Sequence, residues 1–91
     1  MKNYEAAIQD YLKVIEINPD FLEAYLNLIF ARINIGDYKE AIFTADNLIK
    51  IDSQYGDAYI ARAIAKKALG DIEGSEKDLK TAKALIEKYK S

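Results

Sequence analysis

Ninety-one residues make one small domain at most, with 13 Lys+Arg against 15 Asp+Glu, no cysteine and no histidine. That balance lacks the basic bias of a nucleic-acid-binding domain, and without Cys or His there are no disulfides, no thiolate nucleophiles and none of the commonest general bases and metal ligands. No apolar run approaches the ~18 residues a membrane span needs and no signal-peptide pattern opens the chain, so the expectation is a cytoplasmic protein with no cofactor, metal, nucleic acid or membrane partner.

Asn3 can cap a first helix over about residues 4–17. Its apolar residues, Tyr4, Ala7, Ile8, Tyr11, Leu12, Val14 and Ile15, wrap much of its circumference. Asn18-Pro19-Asp20 ends it, because Pro19 has no N–H to donate and biases Asn18 out of the helical region. Asp20 starts a second helix, with Glu23 completing a capping box, and this helix runs to about Ile35, where Gly36 supplies a left-handed stop. Asp37 caps a third helix to about Ile51, again with an acid (Glu40) at the third position. After the turn Asp52-Ser53-Gln54, a fourth helix covers about 55–69 and Gly70 closes it; Asp71 caps a fifth over about 72–89. Connections this short force antiparallel neighbours. No stretch alternates with period two, so the fold class expected is all-α.

Pieces of the chain recur at one fixed spacing of 34 residues. Gly36-Asp37 returns as Gly70-Asp71, and Glu23-Ala24-Tyr25-Leu26 as Asp57-Ala58-Tyr59-Ile60, while Tyr4, Ala7 and Ile8 precede Tyr38, Ala41 and Ile42. A helix-turn-helix unit of this period resembles the tetratricopeptide repeat. In the best-matching unit Tyr25 stands where that family has Trp, Leu28 matches its Leu, and Ala41 matches the small residue of a close helix approach. Ile29, Arg32, Ala45 and Ser53 depart from the pattern, as do Arg62, Lys66 and Ser75 in the next unit. The resemblance implies an α-solenoid of five antiparallel helices, about two and a half repeats. It divides a single domain, 1–91, into a half repeat 1–21 and repeats 22–55 and 56–89.

For chemistry the sequence offers little. Asp37 with Glu40, and Glu73 with Glu76, are carboxylate pairs at helical spacing, but their positions at helix starts read as capping. Gly70-Asp-Ile-Glu-Gly74 lacks the strand and the Lys-Ser/Thr of a phosphate loop. No catalytic residue is expected and the chain is read as not an enzyme. Lys77, Lys80 and Lys83 alternate with Glu76, Asp78 and Glu87, as on a solvated face.

The resemblance implies instead a protein or peptide partner held in a concave groove lined by the first helix of each repeat. Here that set is Glu23, Leu26, Asn27, Phe30, Ile33 and Asn34, continued by Asp57, Ile60, Ala61, Ile64, Lys67 and Ala68. Leu26, Phe30, Ile60 and Ile64 would be apolar anchors, with Asn27 and Asn34 bonding the partner's backbone. Relatives that grip a chaperone's C-terminal carboxylate do so with a clamp of Lys, Asn and Arg. Only Asn27 matches that clamp, and Leu26, Phe30, Asp57 and Ala61 occupy its other positions, so an apolar segment or amphipathic helix is the expected ligand.

The two ends look different. The fifth helix confines its apolar residues (Leu79, Ala82, Leu85, Ile86, Tyr89) to a stripe, and Arg62 and Lys66 of the fourth are expected to make its outer face polar, so the C-terminal end reads as finished. The first helix has no partner upstream in the register. It is expected either to belong to a longer repeat array or to be covered by a second copy, in a homodimer through Tyr4, Ile8, Tyr11, Leu12 and Ile15. A self-associating scaffold is therefore the alternative to a groove-binding module.

Overall fold

Punctuation residues decide where the helices break. The computed structural model describes residues 3–88. It contains α1 (Tyr4–Ile17), α2 (Leu22–Asn34), α3 (Tyr38–Ile51), α4 (Gly56–Ala68) and α5 (Ile72–Lys88), with no strand among the described residues. Asn3 Oδ1 accepts the Ala6 N–H at 3.1 Å and so starts α1. The connections α1–α2 and α3–α4 are the same turn. Asn18 O accepts from Phe21 N at 3.1 Å, and one repeat later Asp52 O accepts from Tyr55 N at 3.2 Å.

Both glycine stops are also one motif used twice. Gly36 and Gly70 take φ of 81° and 90°, in the left-handed region. At the first, Asp37 N donates to Arg32 O at 2.9 Å and Gly36 N to Ile33 O at 3.0 Å; at the second, Asp71 N donates to Lys66 O and Gly70 N to Lys67 O at the same distances. This is the paired-bond helix ending that satisfies carbonyls otherwise left open. A Cβ at Gly36 would meet nothing within 4 Å, so backbone conformation and not space demands glycine there. Gly36→Val is accordingly expected to cost ~1–3 kcal/mol, with Gly70→Val costing about as much. Thermal melts of both check it, and unchanged midpoints would contradict the argument.

Two expected caps do not form. Asp20 lies inside the turn closed by Asn18 and Phe21, so Phe21 occupies the position before α2 and no side-chain cap bond with Glu23 results. Asp37 does precede α3, but its carboxylate makes no cap bond, and Glu40 turns to Arg32 at 3.7 Å. Asp71 behaves as expected: its Oδ1 accepts from Gly74 N at 2.9 Å. Tyr89 lies outside the described residues.

Successive helices pack in order as an antiparallel chain, and α2 also touches α4, whereas α1, α3 and α5 do not touch one another. Inner helices that meet and outer helices that splay curve the layer, concave on the α2–α4 side. The core is built for close approach. Its main cluster is Ile29, Ala41, Ala45, Leu48, Ala58, Ala61 and Ala65, and among the described residues the largest fully buried side chains are Leu28, Ile29 and Leu48. Ala41 and its repeat equivalent Ser75 are both buried, as the family's small position requires. A second cluster joins Ile8 to Leu28 and Ala31, with Tyr4, Tyr11 and Ile15 packed against it.

The C-terminal end departs from expectation in two ways. Arg62 and Lys66 do not make an outer polar face: they turn toward α5, where both reach the buried Asp78, and Arg62 also reaches Asp46 on α3. Asp78 is thus no part of a solvated face. The stripe on α5 is also less covered than expected, with Leu79 46% and Ile86 45% exposed. The reason is positional. Ala45, the equivalent of Leu79 in the preceding repeat, is fully buried because α4 follows α3, and no described helix follows α5.

Candidate functional site

On α2 the side chains at Leu26, Phe30 and Ile33 share a stripe at helical spacing, half-buried against the core cluster that includes the α4 alanines. Asn27 and Asn34 flank them, both exposed. On α4, Ile60 is half-buried, Ile64 is 43% exposed and Lys67 is exposed. Ala61, expected in the groove, is fully buried and belongs to the core instead. The polar neighbours at the edge are carboxylates as well as Lys67: Glu23 and Asp57 lie in the first turns of these helices.

These residues do not fall into one enclosed pocket. Asn27, Phe30 and Asn34 join Tyr4, Ala7 and Tyr11 of α1 around a cleft of about 430 Å³ at the N-terminal end. Ile60 joins Leu79, Ala82 and Ile86 in a cleft of about 320 Å³ at the C-terminal end. Leu26, Ile33, Ile64 and Lys67 line neither and lie along the α2–α4 layer. What the structure presents is therefore a shallow inner surface with a cleft at each end and no enclosed pocket joining these residues.

The self-association set is divided. Ile8 is buried against Leu28 and Ala31, and Tyr4, Tyr11 and Ile15 are half-buried on the same cluster, so much of the apolar surface of α1 is used within the chain. Leu12 and Ile17 are the large apolar residues of α1 that stay exposed. Leu12 and Ile15 line a third cleft, of about 530 Å³, on the opposite, outer side between α1 and α3. The exposed Phe43 lines it too, a residue that sequence reasoning did not single out. A signal for it exists in the repeat register. Its equivalents 34 residues away on either side are Gln9 and Lys77, both polar, so no packing position shared by the repeats explains an aromatic there.

Glu73 is exposed in the first turn of α5, and no group of three or more His, Cys, Asp or Glu able to hold a metal occurs among the described residues. No helix of the described residues is long and apolar enough to cross a membrane.

Comparison with known proteins agrees with this architecture. A family model described as tetratricopeptide repeat matches residues 1–67. Human serine/threonine-protein phosphatase 5 is 34% identical over 80 residues, which are 88% of this chain and 16% of that protein. The rice (Oryza sativa subsp. japonica) protein SGT1 homolog is 31% identical over 85 residues, 93% of this chain and 21% of the relative. The chain thus spans a minor part of these relatives. Among solved structures, one titled MamA MSR-1 C2 superposes with a TM-score of 0.87 at 27% identity, covering 93% of this chain and 49% of that one. The second TPR of Spaghetti (RPAP3), bound to the HSP90 peptide SRMEEVD, gives 0.84 at 28% identity, covering 90% of this chain and 76% of that one.

Proposed function

The chain belongs to the tetratricopeptide repeat family, and on that premise we propose that it is a non-catalytic protein-interaction module whose inner surface takes an apolar segment of a partner protein. The observation that carries this reading is the stripe of Leu26, Phe30 and Ile33 beside the exposed Ile64, edged by the amides of Asn27 and Asn34. Apolar side chains left part-open beside hydrogen-bonding amides suit a ligand that buries its own apolar face and offers backbone groups at the rim. A cytoplasmic setting accords with the absence of cysteine.

The peptide on the RPAP3 neighbour, SRMEEVD, is rich in acidic residues and ends in one. Here Asn27 alone matches the carboxylate clamp that the resemblance implies; its other positions hold Leu26, Phe30, Asp57 and Ala61, and Ala61 is buried. SRMEEVD is therefore expected to bind far more weakly than apolar peptides selected from a random displayed library with the whole chain as bait. Against such a selected peptide, Phe30→Ala or Ile60→Ala should weaken binding by ~1–3 kcal/mol with the helical spectrum retained. Normal binding by both variants, together with loss of binding in Lys77→Ala and Lys83→Ala, would move the site to α5 and refute the reading.

Self-association is the second reading, favoured by the exposure of Leu12 on α1 beside an open cleft.

A further inference from the structure

The outer cleft lies where α1 and α3 splay apart over α2, on the face away from the proposed peptide surface. Its α3 wall includes a single stripe, Glu40, Phe43, Asn47 and Lys50, spaced three, four and three residues apart. Phe43 is 60% exposed, the most open aromatic side chain of the described residues, and Leu12 and Ile51 open onto the same cleft. The stripe has an acid at one end and a base at the other, about 15 Å apart along the helix. The Glu40 side chain is more than half exposed despite its 3.7 Å contact with Arg32, so its charge remains accessible.

We infer that this cleft is where two copies of the chain meet, α3 against α3 in antiparallel orientation. A two-fold axis crossing the helix near the level of Ala45 places Glu40 opposite the partner's Lys50 and Phe43 beside the partner's Asn47. By symmetry the same pairs form again at the other end. Phe43 then enters the partner's cleft between α1 and α3, against its Leu12 and Ile51. The match favours a second copy over a foreign helix because acid and base are related to one another by reversal of the helix direction. A contact of the surface with itself uses both halves at once with no charge pattern beyond the one this chain already carries. This inference makes the self-association reading specific, moving the contact from α1 alone to the α1–α3 cleft, and it is independent of peptide binding on the inner surface.

Sedimentation equilibrium over a micromolar concentration series tests it. The wild-type chain is expected to dimerise. Glu40→Lys and Lys50→Glu should each weaken the dimer about tenfold or more, since each creates two like-charge contacts. An equimolar mixture of the two variants should restore association as a heterodimer, as should the double substitution E40K/K50E in one chain. Phe43→Asp should abolish it while leaving the circular dichroism spectrum intact. A chain that stays monomeric throughout overturns the inference. So does a dimer indifferent to both charge variants, and one that instead dissociates on Tyr4→Ala and Tyr11→Ala would place self-association on the inner side of α1. Phe30→Ala, which tests peptide binding, should leave the dimer unchanged, so the two readings fail separately.

Discussion

Leu48→Ala is expected to destabilise the fold by ~2–5 kcal/mol, a large part of the ~5–15 kcal/mol that holds a domain of this kind together. Leu48 is fully buried on α3, in the cluster that also contains Ile29 of α2 and the alanines of α4. Alanine-lined helices already approach closely and have little freedom to move further in, so the space vacated by the truncated side chain persists as a cavity. Phe43→Ala, on the same helix, removes a larger side chain from a 60% exposed site and should change stability by less than ~1 kcal/mol. Urea unfolding of the two variants decides it. The midpoint of Leu48→Ala should fall sharply at unchanged slope, and equal losses in both variants would refute the assignment of inner and outer faces.

Much of this architecture was legible because the chain punctuates itself in repeat. Gly36 and Gly70 each close a helix by the same pair of backbone bonds, and Asn18 and Asp52 each accept the bond that closes the same turn. Side-chain caps were less legible. Asp20 and Glu23 satisfy the local capping pattern, yet the turn around Pro19 claims Asp20, and tertiary contact draws Glu40 to Arg32. The apolar stripes of α2 and α4 were legible from helical spacing, but not the packing that sinks Ala61 into the core while leaving Ile64 open. That difference depends on which side of α4 packs against α2 and α3, a tertiary contact that no local pattern on either helix encodes.

Arg62, Lys66 and Asp78 were the least legible, because each in isolation looks like a solvated charge. The repeat register holds the missing signal. Arg32 donates to the buried Thr44 at 2.5 Å, and 34 residues on, Lys66 meets the buried Asp78 at 3.0 Å, so a cation on one helix faces a buried polar group on the next in both units. Arg62, standing where α2 has the buried Leu28, adds a second donor to the second unit.

That network underlies the other large effect expected. Asp78 is nearly inaccessible, its side chain 5% exposed, and it accepts from Arg62 Nε at 2.8 Å and Nη2 at 2.7 Å, with Lys66 Nζ at 3.0 Å. Burial by itself would raise the pKa of this carboxyl. The hydrogen bonds and charges of Arg62 and Lys66 outweigh burial, and the net direction is below the usual aspartate value of 3.8. A carboxyl whose pKa is lower folded than unfolded contributes stability in full above its unfolded value, and that contribution is lost as pH falls through the folded value. Asp78→Ala leaves two mostly buried cations without their shared partner and should cost ~3–5 kcal/mol at neutral pH, toward the lower figure because Arg62 keeps Asp46 at 2.9 Å. Replacing all three groups together, as R62M/K66M/D78L, should recover much of that loss, since apolar side chains of similar size need no partner. Denaturant titrations from about pH 7 to about pH 2 complete the test, spanning the acid side on which carboxylates titrate. The wild type should lose this increment on the acid side and Asp78→Ala should show a flatter acid limb. An Asp78→Ala variant as stable as wild type at neutral pH would mean that the network does not hold α5 against α4.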